Sequence, residues 1–149
     1  MIYIEDNLPD IRADGLNTAK AVNFAGSSEV LLPNPVYALT VASLGTTQNS
    51  TPTTAQLLGG IVTQTGATGA GTVTLPTGTL LSAAIPTVAV GYTFDCSFIN
   101  LGGSQTLTIT GATGSTVVGT AAVGTGKSAS LTFTNTGTNT WNVYCFVSA

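Results

Sequence analysis

The sequence contains no histidine. That removes the usual general base near neutral pH, the Ser/His/Asp arrangement and the commonest metal ligand. Charge is almost as scarce. Asp, Glu, Lys and Arg make up 6% of the 149 residues, against about 25% in an average globular protein. With three basic residues and a net charge of −3, no basic cluster is available to neutralise phosphates, which argues against a nucleic-acid partner. Two cysteines, Cys96 and Cys145, cannot complete a zinc site in one chain without histidine. Each falls in a predicted strand and is expected as a free, buried thiol; a disulfide would need those strands to be neighbours in register. No run approaches the ~20 apolar residues that a helix needs to cross a bilayer. The opening Met1-Ile-Tyr-Ile-Glu-Asp6 is acidic and has no long apolar stretch, so neither a signal peptide nor a membrane anchor is expected.

What charge there is lies in one place. Seven of the nine ionic residues (Glu5, Asp6, Asp10, Arg12, Asp14, Lys20 and Glu29) precede residue 30, and only Asp95 and Lys127 follow. A soluble monomer ordinarily keeps itself dispersed with a mixed-charge surface. The body must instead rely on Thr, Ser, Asn, Gln and Gly, or cover its surface with copies of itself or another protein. A single carboxylate in the body also leaves no pair for glycoside chemistry. Neither an enzyme nor a cofactor site is expected.

Residues 1–35 carry apolar groups without a sustained period (Ile2, Ile4, Leu8, Ile11, Leu16, Val22, Phe24) among the acids Glu5, Asp6 and Asp10 and the base Arg12. Such a segment has anchors but no core of its own, as expected of an extended arm that orders on a partner. Pro33-Asn-Pro35 is a natural junction, and residues 36–149 form the predicted body.

The body reads as all-β, an antiparallel β-sandwich or jelly-roll-like domain with one short helix. Its central strand is Gly91-Tyr-Thr-Phe-Asp-Cys-Ser-Phe-Ile-Asn100, where Tyr92, Phe94, Cys96 and Phe98 alternate with Thr93, Asp95, Ser97 and Ile99. Side chains two apart share one face of a strand, so three aromatics line one side and Asp95 the other. Phe133, Trp141, Tyr144 and Phe146 are the aromatics they would pack with, in the core or at a subunit contact. Strands are expected at 36–42, 57–64 (interrupted by Gly59-Gly60), 72–75, 105–110, 116–118, 128–134 and 140–147. Leu101–Ser104 and Gly124–Lys127 read as hairpin turns. Thr77 caps a helix over 77–85, whose Leu80, Leu81, Ala84 and Ile85 would cover one end of the body. The last strand has large apolar groups on both faces, so it is either central and doubly covered or at a subunit contact.

Two motifs have a functional and a plain reading. Ala121-Ala-Val-Gly-Thr-Gly-Lys-Ser128 nearly spells a phosphate loop, but the first glycine is replaced by Ala121 and a β-type run follows where a helix is needed. A turn is the better account. Trp141 and Tyr144 could form an aromatic sugar platform, although such residues are more often core or interface.

The runs Ala55-Gln-Leu-Leu-Gly-Gly-Ile-Val-Thr-Gln64, Val73-Thr-Leu-Pro-Thr77, Val90–Asn100 and Ser130-Leu-Thr-Phe-Thr-Asn-Thr-Gly137 together resemble small β-rich virion proteins of tailed bacteriophages, the capsid decoration (cement) proteins and the head- or tail-fibre modules. The resemblance spans about residues 53–147 and lies in composition and order. It implies a homotrimer whose arm lies on major capsid protein subunits, made in the host cytoplasm and resident on the capsid surface of the virion. The alternative within the same resemblance is a fibre module that binds a receptor or glycan.

Overall fold

The computed structural model describes residues 39–65, 69–85 and 89–149. All eleven arm residues singled out above lie outside the described residues. Among the described residues nine strands and two short helices follow in the order β1 Thr40–Ser43, α1 Thr54–Leu58, β2 Gly60–Gln64, β3 Gly71–Thr74, α2 Gly78–Ala84, β4 Thr93–Asn100, β5 Leu107–Thr110, β6 Ser115–Gly119, β7 Ala122–Val123, β8 Ser128–Gly137 and β9 Thr140–Val147. One sheet has the order β1-β2-β4-β8-β9-β6 and a second has β3-β5-β7. The strand-rich expectation is met.

The pairing corrects the expected antiparallel arrangement. β1–β2, β2–β4, β3–β5 and β6–β9 are parallel, and only β4–β8, β5–β7 and β8–β9 are antiparallel. The sheets are therefore mixed. An alternation of two along a strand says which side chains share a face but not which way the neighbour runs. Direction is set by the connections, and parallel neighbours need long crossovers. Here the crossover 44–59 contains α1, and the crossover between β2 and β4 contains β3 and α2.

The helices number two, not one. Residues 54–58, expected in part as strand, form α1: the Thr53 hydroxyl accepts from the Gln56 amide at 3.2 Å, while the Gln56 side chain accepts from the Thr53 amide at 2.8 Å. This reciprocal cap satisfies two of the amide donors that a helix start leaves open. α2 is the helix expected after Thr77, whose hydroxyl accepts from the Leu80 amide at 3.3 Å. Leu81 from α2 is buried, but Leu80 points to solvent. Both expected hairpins are also corrected. The turns at 101–106 and 124–127 carry the chain between the two sheets, from β4 to β5 and from β7 to β8. Among the described residues, the one hairpin between neighbours in the larger sheet turns at Thr138-Asn139, between β8 and β9.

Residues from both sheets and both helices form a single apolar core. Val62, Cys96, Phe98, Leu131, Phe133, Trp141, Val143 and Cys145 come from the six-stranded sheet, Val73, Leu107, Ile109 and Val123 from the other, and Leu57 and Leu81 from the helices. Phe94 stacks on Phe133 with ring centroids 4.5 Å apart and meets the edge of Trp141 at 5.9 Å. The Trp141 indole N–H donates to Ser82 Oγ at 3.0 Å, tying β9 to α2.

Two buried amides hold the sheets and loops together. Asn100 donates through Nδ2 to the carbonyls of Gln105 (2.8 Å) and Val123 (2.9 Å), and its Oδ1 accepts from the Gly102 amide at 3.0 Å. Gln64 accepts from Ser50 Oγ at 2.8 Å and donates to the Thr47 carbonyl. Buried polar groups of this kind persist because each is satisfied, and among the described residues no buried side-chain N or O lacks a partner.

Candidate functional site

The inward face of the six-stranded sheet is committed to the core, so a surface role for this sheet falls to its outward face. The register defines that face row by row. Asp95, Thr132, Tyr144 and Val118 lie side by side across β4, β8, β9 and β6. The next row, across β1, β2, β4, β8 and β9, is Val41, Ile61, Ser97, Ser130 and Phe146. Thr93, Thr134, Asn142 and Thr116 form the row on the other side of Asp95.

Relief follows from residue size. Along β8 the outward residues are Ser128, Ser130, Thr132 and Thr134, and along the facing part of β4 they are Thr93, Asp95, Ser97 and, opposite Ser128 at one end, the larger Ile99. Along β9 they are Asn142, Tyr144 and Phe146. A ridge of long side chains on β9 therefore runs beside a shallow trough over β8 and β4, and Ile61 and Val41 border the trough on its far side. Phe146 is 66% exposed, Val41 65% and Tyr144 37%.

The electrostatics are simple. Among the described residues Asp95 and Lys127 are the only ionic side chains, and only Asp95 lies on this face. Asp95 Oδ1 accepts from the Thr132 hydroxyl at 2.6 Å, from the next strand in the same row. Lys127 donates to the Ala149 carbonyl at the end of the chain and does not pair with Asp95. The remaining polar groups on the face are hydroxyls and the Asn142 amide.

The aromatics expected in the core or at a subunit contact divide accordingly. Phe98, Phe133 and Trp141 are fully buried, and Phe94 is half-buried against them. Tyr144 and Phe146 stand on the outward face. Tyr92 precedes β4 and is also exposed, so it is not the first member of the inward row. The row instead continues to Asn100 at its other end. Trp141, at 1% exposure, is unavailable to a sugar platform with Tyr144, because residues three apart on a strand point to opposite faces.

The near-phosphate loop forms a turn at 124–127 that leads into β8, not a helix, so it offers no helix start to an anion. The two thiols flank Leu131, Cys96 on β4 and Cys145 on β9. With a whole strand between them they lie about 10 Å apart, too far for a bond, and both are free and buried. Burial pushes the Cys96 thiol up to about 12 and raises that of Cys145. Neither is poised as a nucleophile. Among the described residues no three His, Cys, Asp or Glu side chains gather where they could hold a metal.

Compared with protein-family models, with curated proteins and with solved structures, the chain matches none, and the functional reading rests on its own surface.

Proposed function

We propose that this chain is a structural virion protein, a capsid decoration (cement) protein that binds the outside of a tailed-bacteriophage shell as a homotrimer and stabilises it. The observation that carries the reading is the outward face of the six-stranded sheet, which bears exposed Tyr144 and Phe146, rows of hydroxyls and one carboxylate. A face so poor in charge is suited to being covered. The body, a two-sheet sandwich in this reading, associates with its copies. Residues 1–35 lie along major capsid protein subunits, with Glu5, Asp6, Asp10 and Arg12 for pairing and Ile2, Ile4, Leu8, Ile11, Leu16, Val22 and Phe24 as apolar anchors.

The mechanism is mechanical. Each trimer bridges several shell subunits, and three arms on one body raise the effective concentration of each weak contact, so that attachment is tight without any one arm being so. The bridged shell then resists outward pressure from packaged genome.

The test is cosedimentation of the full chain and of a chain lacking residues 1–30 with empty phage shells. The proposal expects the full chain to bind and the shortened chain to lose most of its binding while keeping its oligomeric state. Undiminished binding by the shortened chain would overturn the arm's role and favour a fibre module.

A further inference from the structure

We infer that the ridge–trough relief on the outward face of the six-stranded sheet is a self-recognition surface, and that its occupant is a second copy of this chain. The inference rests on the self-association proposed above and names the surface that performs it.

The first argument is shape. Long side chains (Tyr144, Phe146) stand on β9, and short ones (Ser130, Thr132) stand beside them on β8. In one row Ser97 and Ser130 lie between Ile61 and Phe146. Large residues meeting small ones across an interface are how packed layers interdigitate. An identical surface turned about an axis along the strands brings its own β9 over this β8. The ridge of one copy then fills the trough of the other. In a pair the exchange is mutual; in a ring of three each copy gives its ridge to one neighbour and its trough to the next.

Area and charge agree. Six strands span five spacings of about 4.8 Å, and the eight residues of β4 or β9 run about 27 Å, so the face covers roughly 650 Å² before side-chain relief is added. A standard stable interface takes about 800 Å² from each partner, which the face approaches when it is committed to one copy; shared between two neighbours in a ring of three, it gives each contact about half of that. A partner rich in charge would leave its ions facing hydroxyls. The body of a second copy brings one acid and no base to the contact, and that acid already accepts from Thr132 at 2.6 Å.

The experiment measures the mass of the full chain in solution by sedimentation across a concentration series. Two face variants are compared with wild type: Phe146→Glu, which puts a charge on the ridge, and Ser130→Trp, which fills the trough. Leu80→Glu, on the exposed side of α2, is the control, and circular dichroism confirms that each is folded. The expected result is an assembled wild type and control, with dissociation constants of both face variants raised at least ~30-fold, the effect of losing a central anchor. Assembled wild type with folded face variants that assemble equally well would overturn this surface and leave self-association standing. A monomeric wild type would overturn both.

Discussion

The Asn100 side chain donates from Nδ2 to the Val123 carbonyl at 2.9 Å, and the two residues belong to different sheets. Asn100 ends β4 and Val123 ends β7, so one amide fastens the six-stranded sheet to the three-stranded sheet. The same side chain holds Gln105 and Gly102 in the loop between them. Asn100→Leu removes both donors and the acceptor; the Gln105 carbonyl keeps the Thr125 hydroxyl at 3.2 Å and the Val123 carbonyl keeps its place in the β5–β7 ladder, so the Gly102 amide is the group left without a partner. At about 1–3 kcal/mol for a buried group left unpaired, the expected loss is about 2 kcal/mol in urea unfolding. A loss under about 0.5 kcal/mol, the range of a surface change, would show that the amide is not a fastener.

Phe133 is fully buried and stacks on half-buried Phe94. Phe133→Ala is expected to cost about 3–5 kcal/mol, as large-to-small changes at aromatic core sites do. Phe94→Ala should cost clearly less, because part of that ring already meets water. Equal losses in parallel chemical denaturations would contradict the asymmetry.

Gly114 has φ +77°, and a Cβ placed there would collide with the Asn139 carbonyl oxygen; a Cβ on Gly78 would strike the same atom. The start of α2, the turn before β6 and the β8–β9 hairpin thus meet backbone to backbone. Gly114→Ala meets both a left-handed backbone and a collision. It is expected to lower stability by about 2 kcal/mol or more, read as a shift in the unfolding midpoint. Gly126→Ala shares the positive φ but faces open space, so it should cost about 1 kcal/mol. If the two variants melted together, the close approach at Gly114 would have no energetic weight.

Burial raises the Cys96 thiol from its ordinary 9.0 to about 12. In the unfolded chain the thiol ionises at its ordinary value, so the contribution of this group is fully present below about pH 9 and is lost as pH rises toward 12. Wild type should therefore lose stability over that window faster than Cys96→Ala does. Alkylation at pH 8 should be slow in the native protein and fast in denaturant. Rapid native labelling of Cys96 would place that thiol at the surface.

Much of the body was legible in its residue pattern. β9 was expected at 140–147 and is found there, because alternation of Trp141, Val143 and Cys145 with polar or aromatic neighbours marks a strand without ambiguity. The Thr77 cap was equally plain. What misled was the reach of local signals. Leu101–Ser104 has the turn chemistry of a hairpin, and the chain does turn there, but into the other sheet. Whether a turn joins neighbours or crosses between layers depends on where Asn100 and Leu107 find partners far along the chain. The first helix, by contrast, had a readable mark: Thr53 and Gln56, three apart, are the two halves of a capping box. The Gly59-Gly60 pair drew attention to strand interruption instead. On the outward face, alternation places Asp95 opposite the core, but Tyr144 and Phe146 group with Phe133 and Trp141 as core or contact aromatics, and only the register separates the two pairs. Alternation could not show that β8, with its serines and threonines, would lie beside them, because adjacency across strands is a property of the sheet.

Five strands of the larger sheet point one way and only β8 runs against them. The chain therefore leaves at Ala149 beside Lys127, next to the start of β8, while residue 39 leads into the outermost strand on the far side. Three strand intervals separate β1 from β8, about 15 Å sideways. A passenger domain fused after Ala149 would therefore start well to one side of the strand that residue 39 enters, clear of the β1 edge.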